Sequence, residues 1–201
     1  SGNILRSTNK GSSFDNATTP TSNNLYGVAF GNSVFVVAGD NGTIVKSTDN
    51  GSSFDNATTT TSNTLFGVGF GNNTFVAAGI SGSIVKSTDS GASWDNATSP
   101  TANYLRGIVF GNNIFVAVGD SGNIVRSDDG SSFDNATSPT SKNLYGVSFG
   151  NSTFVAVGDN GTIVRSTTDN GSSWDNATSP TSKNLYGVGF GNNTFVAVGD
   201  N

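Results

Sequence analysis

Tyrosine and aspartate side chains recur at two positions of this chain and could together bind a polar ligand. An aromatic ring can stack on the apolar face of a sugar or on a peptide side chain, and a carboxylate can accept hydrogen bonds from the polar groups. Both positions belong to the repeats described below and are expected on one side of the molecule. The sequence therefore predicts a ligand-binding face formed by Tyr26, Tyr145, Tyr186, Asp40, Asp120, Asp159 and Asp200.

Two repeats depart from this pattern. Phe66 and Arg106 replace the tyrosine, and Ile80 replaces one aspartate. We therefore expect stronger binding at the first, fourth and fifth repeats than at the second and third. The alternative is that these aromatic residues belong to the hydrophobic core.

A second row of aspartates lies in glycine-containing turns such as Ser47-Thr48-Asp49-Asn50-Gly51. A carboxylate in such a turn can accept backbone N–H hydrogen bonds, while glycine supplies a positive φ. The alternative is a metal or ligand loop, but Asn9 occupies the matching position, and an amide would weaken a metal site. We therefore predict a structural role, and no metal site, for Asp49, Asp89, Asp129 and Asp169.

A basic residue precedes each of these turns, as Arg6, Lys46, Lys86, Arg126 and Arg165. Such a set could bind anions. If Ser47 lies opposite Phe54 in an antiparallel pair, however, Lys46 lies opposite Asp55, and the same pair recurs in every repeat. Cross-strand pairing is the prediction.

The composition limits the chemistry. The chain has no His, Cys, Glu or Met, so it lacks thiolate metal ligands, and acid–base catalysis would depend on Asp, Tyr or Lys. Two close carboxylates could serve a glycosidase, but nearly every aspartate occupies a repeated position typical of turns. We predict no enzymatic activity and no cofactor. A net charge of −5 argues against nucleic acid, and no apolar run has the length of a membrane span.

These side chains must be positioned by a repeated unit. A Leu-x-Gly-(Val/Ile) motif begins at residues 25, 65, 105, 144 and 185. Within residues 65–104, four short runs of strand-forming residues alternate with Gly- and Asn-rich turns, which is typical of one β-propeller blade. Two phenylalanine positions are the predicted core: Phe30, Phe70, Phe110, Phe149 and Phe190, and Phe35, Phe75, Phe115, Phe154 and Phe195.

The two ends of the chain are complementary halves of one repeat. The last copy stops at Asn201 after two predicted strands, and residues 2–18 would supply the other two. The sequence therefore predicts one all-β domain over residues 1–201, a five-bladed β-propeller of four-stranded antiparallel blades, closed by a blade shared between both termini. The blades are predicted at residues 25–64, 65–104, 105–143, 144–184, and 185–201 plus 1–24. An open β-solenoid is the alternative, and it would need capping ends.

The turns resemble the Asp-box, or BNR, repeat of sialidases and bacterial surface propellers, Ser-x-Asp-x-Gly-x-Thr-aromatic, as in Ser87-Thr88-Asp89-Ser90-Gly91-Ala92-Ser93-Trp94. With the preceding Gly-Asp-Asn-Gly-Thr-Ile run, the repeats are also similar to those of photosystem II stability and assembly factors. The resemblance implies a propeller fold and an extracellular or cell-surface location, although the sequence leaves localisation open. Five-bladed lectins of the tachylectin type offer a fold-level analogy.

The sequence leaves two functions open. One is a non-catalytic, monomeric scaffold that binds a glycan or protein partner at several repeats. The other is an engineered or recently amplified symmetric propeller with no native ligand.

Overall fold

The computed structural model describes residues 2–201, which form an all-β arrangement of antiparallel sheets. Three complete blades follow one plan, in which four strands consecutive in the chain lie side by side. Their strands are β3 (Leu25–Gly31), β4 (Val34–Gly39), β5 (Ile44–Ser47) and β6 (Asp55–Asn56); β12 (Leu105–Gly111), β13 (Ile114–Gly119), β14 (Ile124–Ser127) and β15 (Asp134–Asn135); and β16 (Leu144–Gly150), β17 (Thr153–Gly158), β18 (Ile163–Ser166) and β19 (Trp174–Asn176).

The second blade has one additional strand. It contains β8 (Leu65–Gly71), β9 (Thr74–Gly79), β10 (Ile84–Ser87) and β11 (Ser93–Asn96), and β7 (Thr58–Thr59) pairs in parallel with β11. Isolated parallel bridges join the equivalent residues elsewhere, such as Thr98 with Ser132 and Thr137 with Ser173. Each complete blade is therefore connected along its outer edge to the preceding segment of the chain.

Two two-stranded sheets lie at the ends. The N-terminal hairpin is β1 (Leu5–Arg6) with β2 (Asp15–Asn16), and the C-terminal hairpin is β20 (Leu185–Gly191) with β21 (Thr194–Gly199). No strand pairing within residues 2–201 joins β1 to β21. The predicted pairing of residues 2–18 with residues 193–200 is thus not present in this structure, and the outer edge of β21 is exposed. Within residues 2–201, no helix has the length and hydropathy needed to span a membrane.

The core lies between successive blades. In the first strand of each blade the third residue is glycine, and neighbouring inner strands pack closely there. In the complete blades the second strand is the most buried. Phe75, Phe115 and Phe154 are fully buried, as predicted. Phe30 is not, since 56% of it is exposed. The reason is positional: Phe30 lies on the side of the first blade where the N-terminal hairpin supplies only two strands.

The tight turn after the second strand of each complete blade is a 3₁₀ turn and not the two-residue hairpin that Asn-Gly pairs favour. Asp40–Gly42 forms a 3₁₀ turn, and β5 resumes only at Ile44. Asn41 and Gly42 adopt the positive φ values expected for this dipeptide, 55° and 68°. A Cβ atom on Gly42 would lie 1.9 Å from the carbonyl oxygen of Thr61, because the connection to the next blade passes directly over the turn.

Candidate functional site: an aromatic rim on one face

The first strand of every blade contains a β-bulge that turns one side chain out of the ladder. In the first blade the pairing register shifts between Leu25 and Gly27, which leaves Tyr26 unpaired, and the same shift occurs at the equivalent residue of each other blade. A bulge re-aims the side chain of the extra residue. The residues so presented are Tyr26, Phe66, Arg106, Tyr145 and Tyr186. We call these five residues, together with Tyr104, the aromatic rim.

The tight turns provide a partner for most of these side chains. The hydroxyl of Tyr26 donates to Asp40 Oδ1 at 3.0 Å, that of Tyr145 to Asp159 Oδ1 at 2.6 Å, and that of Tyr186 to Asp200 Oδ2 at 3.1 Å. The predicted tyrosines and aspartates are therefore brought together in pairs, one pair for each of three repeats. These carboxylates already accept a hydrogen bond from the protein.

The third blade replaces tyrosine by arginine but keeps the pair. Arg106 donates through both Nε and Nη2 to the carboxylate of Asp120, with 3.0 Å between Nη2 and Oδ2. This two-point contact raises the pKa of Arg106 above its usual value. In the second blade Phe66 and Ile80 replace the polar pair with an apolar one. Arg106 therefore departs from the Tyr–Asp pattern in residue type but still bonds to the aspartate of its own repeat.

The rim is continuous rather than divided into separate sites. The ring centroids of Tyr26 and Phe66 are 5.6 Å apart, and those of Tyr145 and Tyr186 are 5.4 Å apart. The guanidinium carbon of Arg106 lies between these pairs, 5.8 Å from the Phe66 centroid and 5.4 Å from that of Tyr145. This is the distance range of cation–π contacts.

Tyr104 completes the rim, and sequence reasoning missed it. It is 42% exposed, its ring lies 6.3 Å from Phe66, and the Arg106 guanidinium lies 5.8 Å from its centroid. The position before the leucine is Asn or Thr in the other repeats, at Asn24, Thr64, Asn143 and Asn184. The tyrosine at this single copy is the feature of the sequence that could have indicated Tyr104 as a rim residue.

Hydrogen bonds to carboxylates raise the pKa of two of the rim tyrosines. The bond to Asp40 raises the pKa of Tyr26, and the bond to Asp159 raises that of Tyr145, with burial contributing in both cases. A phenol with a raised pKa is a hydrogen-bond donor and a poor nucleophile. The rim therefore presents aromatic rings, one shared cation and occupied carboxylates, which suits binding better than covalent chemistry.

The Asp-box-like turns lie apart from the rim and have a different construction. Asp49 accepts hydrogen bonds from the backbone N–H groups of Ser52 and Ser53 at 3.0 Å each, and from the hydroxyls of Ser47 and Ser53 at 2.7 and 2.6 Å. The bonds from the Ser53 side chain and backbone hold the pKa of Asp49 far below its usual range. The predicted structural role fits this geometry, and positive φ at Gly51 (78°) is confirmed.

Asp89 and Asp129 are held in the same way. Burial acts to raise the pKa of Asp89, but bonds from Ser93, Ser87 and Ala92 together lower it to about 2. The pKa of Asp129 is lowered chiefly by the backbone N–H of Ser131. In the N-terminal hairpin the amide oxygen of Asn9 accepts from Ser13 N–H at 3.1 Å, so an amide does replace the carboxylate.

The fourth turn corrects one prediction. Asp169 was expected to be its acceptor, yet in the described part of the chain its carboxylate accepts no hydrogen bond from the turn. Thr168 Oγ1 accepts instead, from the N–H groups of Ser172 and Ser173 at 3.1 and 3.3 Å. The extra residue in this copy moves the aspartate one position beyond the acceptor site. Within residues 2–201, no group of three acidic side chains is placed to bind a metal ion.

The predicted register of the basic row is confirmed, since Lys46 lies opposite Asp55 and Arg126 opposite Asp134. The expected ion pairs do not form between these partners in the described residues. Arg126 instead donates to the carbonyl of Asn170 in the next blade at 3.1 Å, and Arg6 makes the equivalent bond to Asn50 at 3.3 Å. Arg6 and Arg126 therefore link their own strands to the following blade.

Blades of four antiparallel strands, joined at their inner strands and bearing a rim of exposed side chains, define a β-propeller domain. The chain belongs to the family described as the DUF6242 beta propeller domain, whose model matches residues 83–188. No curated protein matches the chain.

Several solved structures share the fold. YCF48 bound to a D1 peptide is 18% identical, with a TM-score of 0.75 over 98% of this chain and 68% of that chain. YCF48 from Cyanidioschyzon merolae is also 18% identical, with a TM-score of 0.64 over 85% of this chain and 61% of that chain. The computationally designed Ika8 protein is 11% identical, with a TM-score of 0.59 over 91% of this chain and 71% of that chain. At these identities the likeness concerns the fold.

Proposed function

We propose that this chain is a non-catalytic propeller that binds an extended protein segment along its aromatic rim. The observation that carries the proposal is the continuity of the rim, where rings from successive blades lie within about 6 Å of one another and enclose the guanidinium of Arg106. A continuous strip matches a linear ligand, because consecutive side chains of an extended peptide can lie on consecutive rings.

The hydrogen bonds to the turns support this function by fixing the rings before a ligand arrives. Tyr26 and Tyr186 are half exposed, at 50% and 51%, yet each hydroxyl is bonded to an aspartate. Side chains that are already ordered lose less conformational entropy on binding. YCF48, a propeller of similar fold, has been solved with a D1 peptide, and that precedent also favours a peptide ligand.

A glycan is the second candidate, favoured by the Tyr–Asp pair that repeats in the first, fourth and fifth repeats. Each pair offers a ring face and a carboxylate, as a sugar site requires. Weak sites repeated on one scaffold would gain avidity. The close contact of Tyr145 with Tyr186 argues against independent sites, because one ligand on either ring would cover part of the other. An inert symmetric scaffold remains the alternative if neither class of ligand binds.

The experiment is a screen of the 201-residue chain against a peptide array and a glycan array, followed by titration of the best ligand. The variant Tyr26→Ala, Tyr145→Ala, Tyr186→Ala should weaken peptide binding at least tenfold, because it removes three ring faces. The matched control is Tyr26→Phe, Tyr145→Phe, Tyr186→Phe, which keeps the rings and should bind within about threefold of wild type. The fluorescence of the buried Trp94 and Trp174 verifies folding of both variants.

The outcomes separate the candidates. Unchanged affinity in a folded triple-alanine variant contradicts a rim site. Binding to glycans alone, kept in the phenylalanine variant and lost in the alanine variant, favours the repeated sugar site. A wild-type chain that binds neither array contradicts both and favours the inert scaffold.

A further inference from the structure

A knob-and-socket contact repeats between consecutive blades. The glycine that ends the first strand of one blade lies beneath a phenylalanine from the first strand of the next blade. A Cβ atom on Gly31 would lie only 2.2 Å from ring carbons of Phe70, and one on Gly150 would lie 2.2 Å from Phe190. The same contact occurs at Gly71 with Phe110 and at Gly111 with Phe149. These four sockets are all filled.

The fifth socket and the fifth knob are both free. A Cβ atom on Gly191, in the C-terminal hairpin, would meet nothing within 4 Å. At the other end of the molecule, Phe30 and Val28 are 56% and 65% exposed, whereas the equivalent Val68 is 8% exposed. By analogy with the four filled contacts, Phe30 would fit over a glycine in the position of Gly191.

The apolar surfaces beside this knob and this socket are complementary as well. Val196 and Val198 on β21 are 60% and 62% exposed, while the equivalent Val116 and Val118 are fully buried against the following blade. A groove of about 480 Å³ lies between the N-terminal hairpin and the first blade. It is lined by apolar residues that include Leu5, Phe14, Val28, Phe35 and Val37.

The N-terminal hairpin already occupies the position of the outer half of a blade. Thr18 N–H donates to Ser52 O at 3.0 Å, as Thr137 N–H donates to Ser172 O at 2.8 Å between the third and fourth blades. The Arg6 bond to Asn50 repeats the Arg126 bond to Asn170. The groove is thus the place where the two inner strands of that blade would lie, and the C-terminal hairpin has the sequence of two such strands.

We propose that a second copy of this chain fills the groove, so that copies associate head to tail through a composite blade. The C-terminal hairpin of one copy would supply the two inner strands, and the N-terminal hairpin of the other the two outer strands. The register follows from the complete blades. Val36 pairs with Lys46 and Val116 with Arg126, so Val196 of one copy would pair with Arg6 of the other.

The open geometry favours a second copy over closure within one chain. β20 packs on β16, the far side of β21 is exposed, and no described pairing brings either strand to β1. The composite blade would also place Tyr186 of one copy beside Tyr26 of the other, as Tyr145 lies beside Tyr186 within a chain. Because knob and socket differ, the interface is heterologous and forms rings or filaments.

Single-ended variants test the association by sedimentation velocity. Val28→Asp with Phe30→Asp blocks one end, and Gly191→Ala with Val198→Asp blocks the other; all four residues lie on the open ends. We expect wild type to sediment as a dimer or larger species, each variant alone as a monomer, and an equimolar mixture of the two variants as a dimer. A monomeric wild type, or a mixture that stays monomeric, overturns the proposal.

A glycine pair supplies the matched control. Gly189 also meets nothing within 4 Å, but its equivalents are Ala29, Val109 and Ser148, so the joint accepts a side chain there. Gly189→Ala should associate as wild type does, and Gly191→Ala alone should dissociate the assembly. Equal behaviour of the two variants contradicts the knob-and-socket joint.

A disulfide distinguishes the two ways of pairing. The chain has no cysteine, so Arg6→Cys with Val196→Cys in one chain introduces a single pair. Oxidation should give covalent dimers or higher oligomers on a denaturing gel. A disulfide-bonded monomer would establish closure within one chain and overturn the proposal.

Discussion

Two rows of aspartates on the same blades differ in what holds them. Asp49 and Asp89 are bound by N–H groups and serine hydroxyls of their own turns, whereas Asp40 and Asp159 are bound by tyrosines from a neighbouring strand. The natural exceptions are instructive. Where the first row lacks its aspartate, Asn9 or Thr168 supplies another oxygen acceptor, but the second row accepts Ile80 opposite Phe66. The turn row therefore requires a hydrogen-bond acceptor at every copy. The rim row requires only that the two partners match, as a polar pair or as an apolar pair.

The largest expected effect is the removal of an acceptor from a turn. Asp89→Ala leaves the N–H groups of Ala92 and Ser93 without their partner, and we expect a loss of about 1–2 kcal/mol in the free energy of unfolding, limited by the solvent exposure of the turn. Asp89→Asn should lose less, because Asn9 already acts in this way. Denaturant unfolding followed by tryptophan fluorescence measures both, and an Asn variant as unstable as the Ala variant contradicts the comparison.

The pH dependence of stability should come from the turn row. The pKa values of Asp49 and Asp89 are lowered in the folded state, that of Asp89 to about 2. Their contribution is therefore fully present above the unfolded value of about 3.9 and is lost as the pH falls through the folded value. We expect the melting temperature of wild type to fall between about pH 4 and pH 2. The double variant Asp49→Asn, Asp89→Asn should show a shallower fall, and an equal slope would refute the assignment.

The smallest effect is expected from exchanging a rim pair for its natural alternative. Tyr145→Phe with Asp159→Ile reproduces the Phe66 and Ile80 pair of the second blade, and the free energy of unfolding should change by no more than about 0.5 kcal/mol. Asp159→Ile alone should cost more, because the Tyr145 hydroxyl loses its acceptor. A double variant less stable than the single variant would show that the Tyr145–Asp159 pair itself stabilises the fold, as the turn aspartates do. That result would contradict the comparison.

The repeating parts of this fold could be predicted from the sequence because each is determined within one blade. The Lys46–Asp55 register depends on strands only a few residues apart, and it was predicted correctly. The same holds for the positive φ at Gly51.

The failures concern properties that depend on neighbours. The exposure of Phe30 depends on which strands lie beside the first blade. The periodicity of the sequence predicts the same burial for every copy and so could not indicate this difference. The acceptor at Thr168 depends on how one extra residue is accommodated in its turn. Tyr104 occurs once, so no repetition marked it, and its role depends on the position of Arg106 in space.

The bulge in each first strand has a consequence for which substitutions a blade tolerates. It separates one side chain per blade from the pairing that holds the strand in place, so a point mutation at that codon alters the surface and leaves the ladder intact. The five unpaired positions differ in this chain, as Tyr, Phe, Arg, Tyr and Tyr, while the bulge itself recurs unchanged.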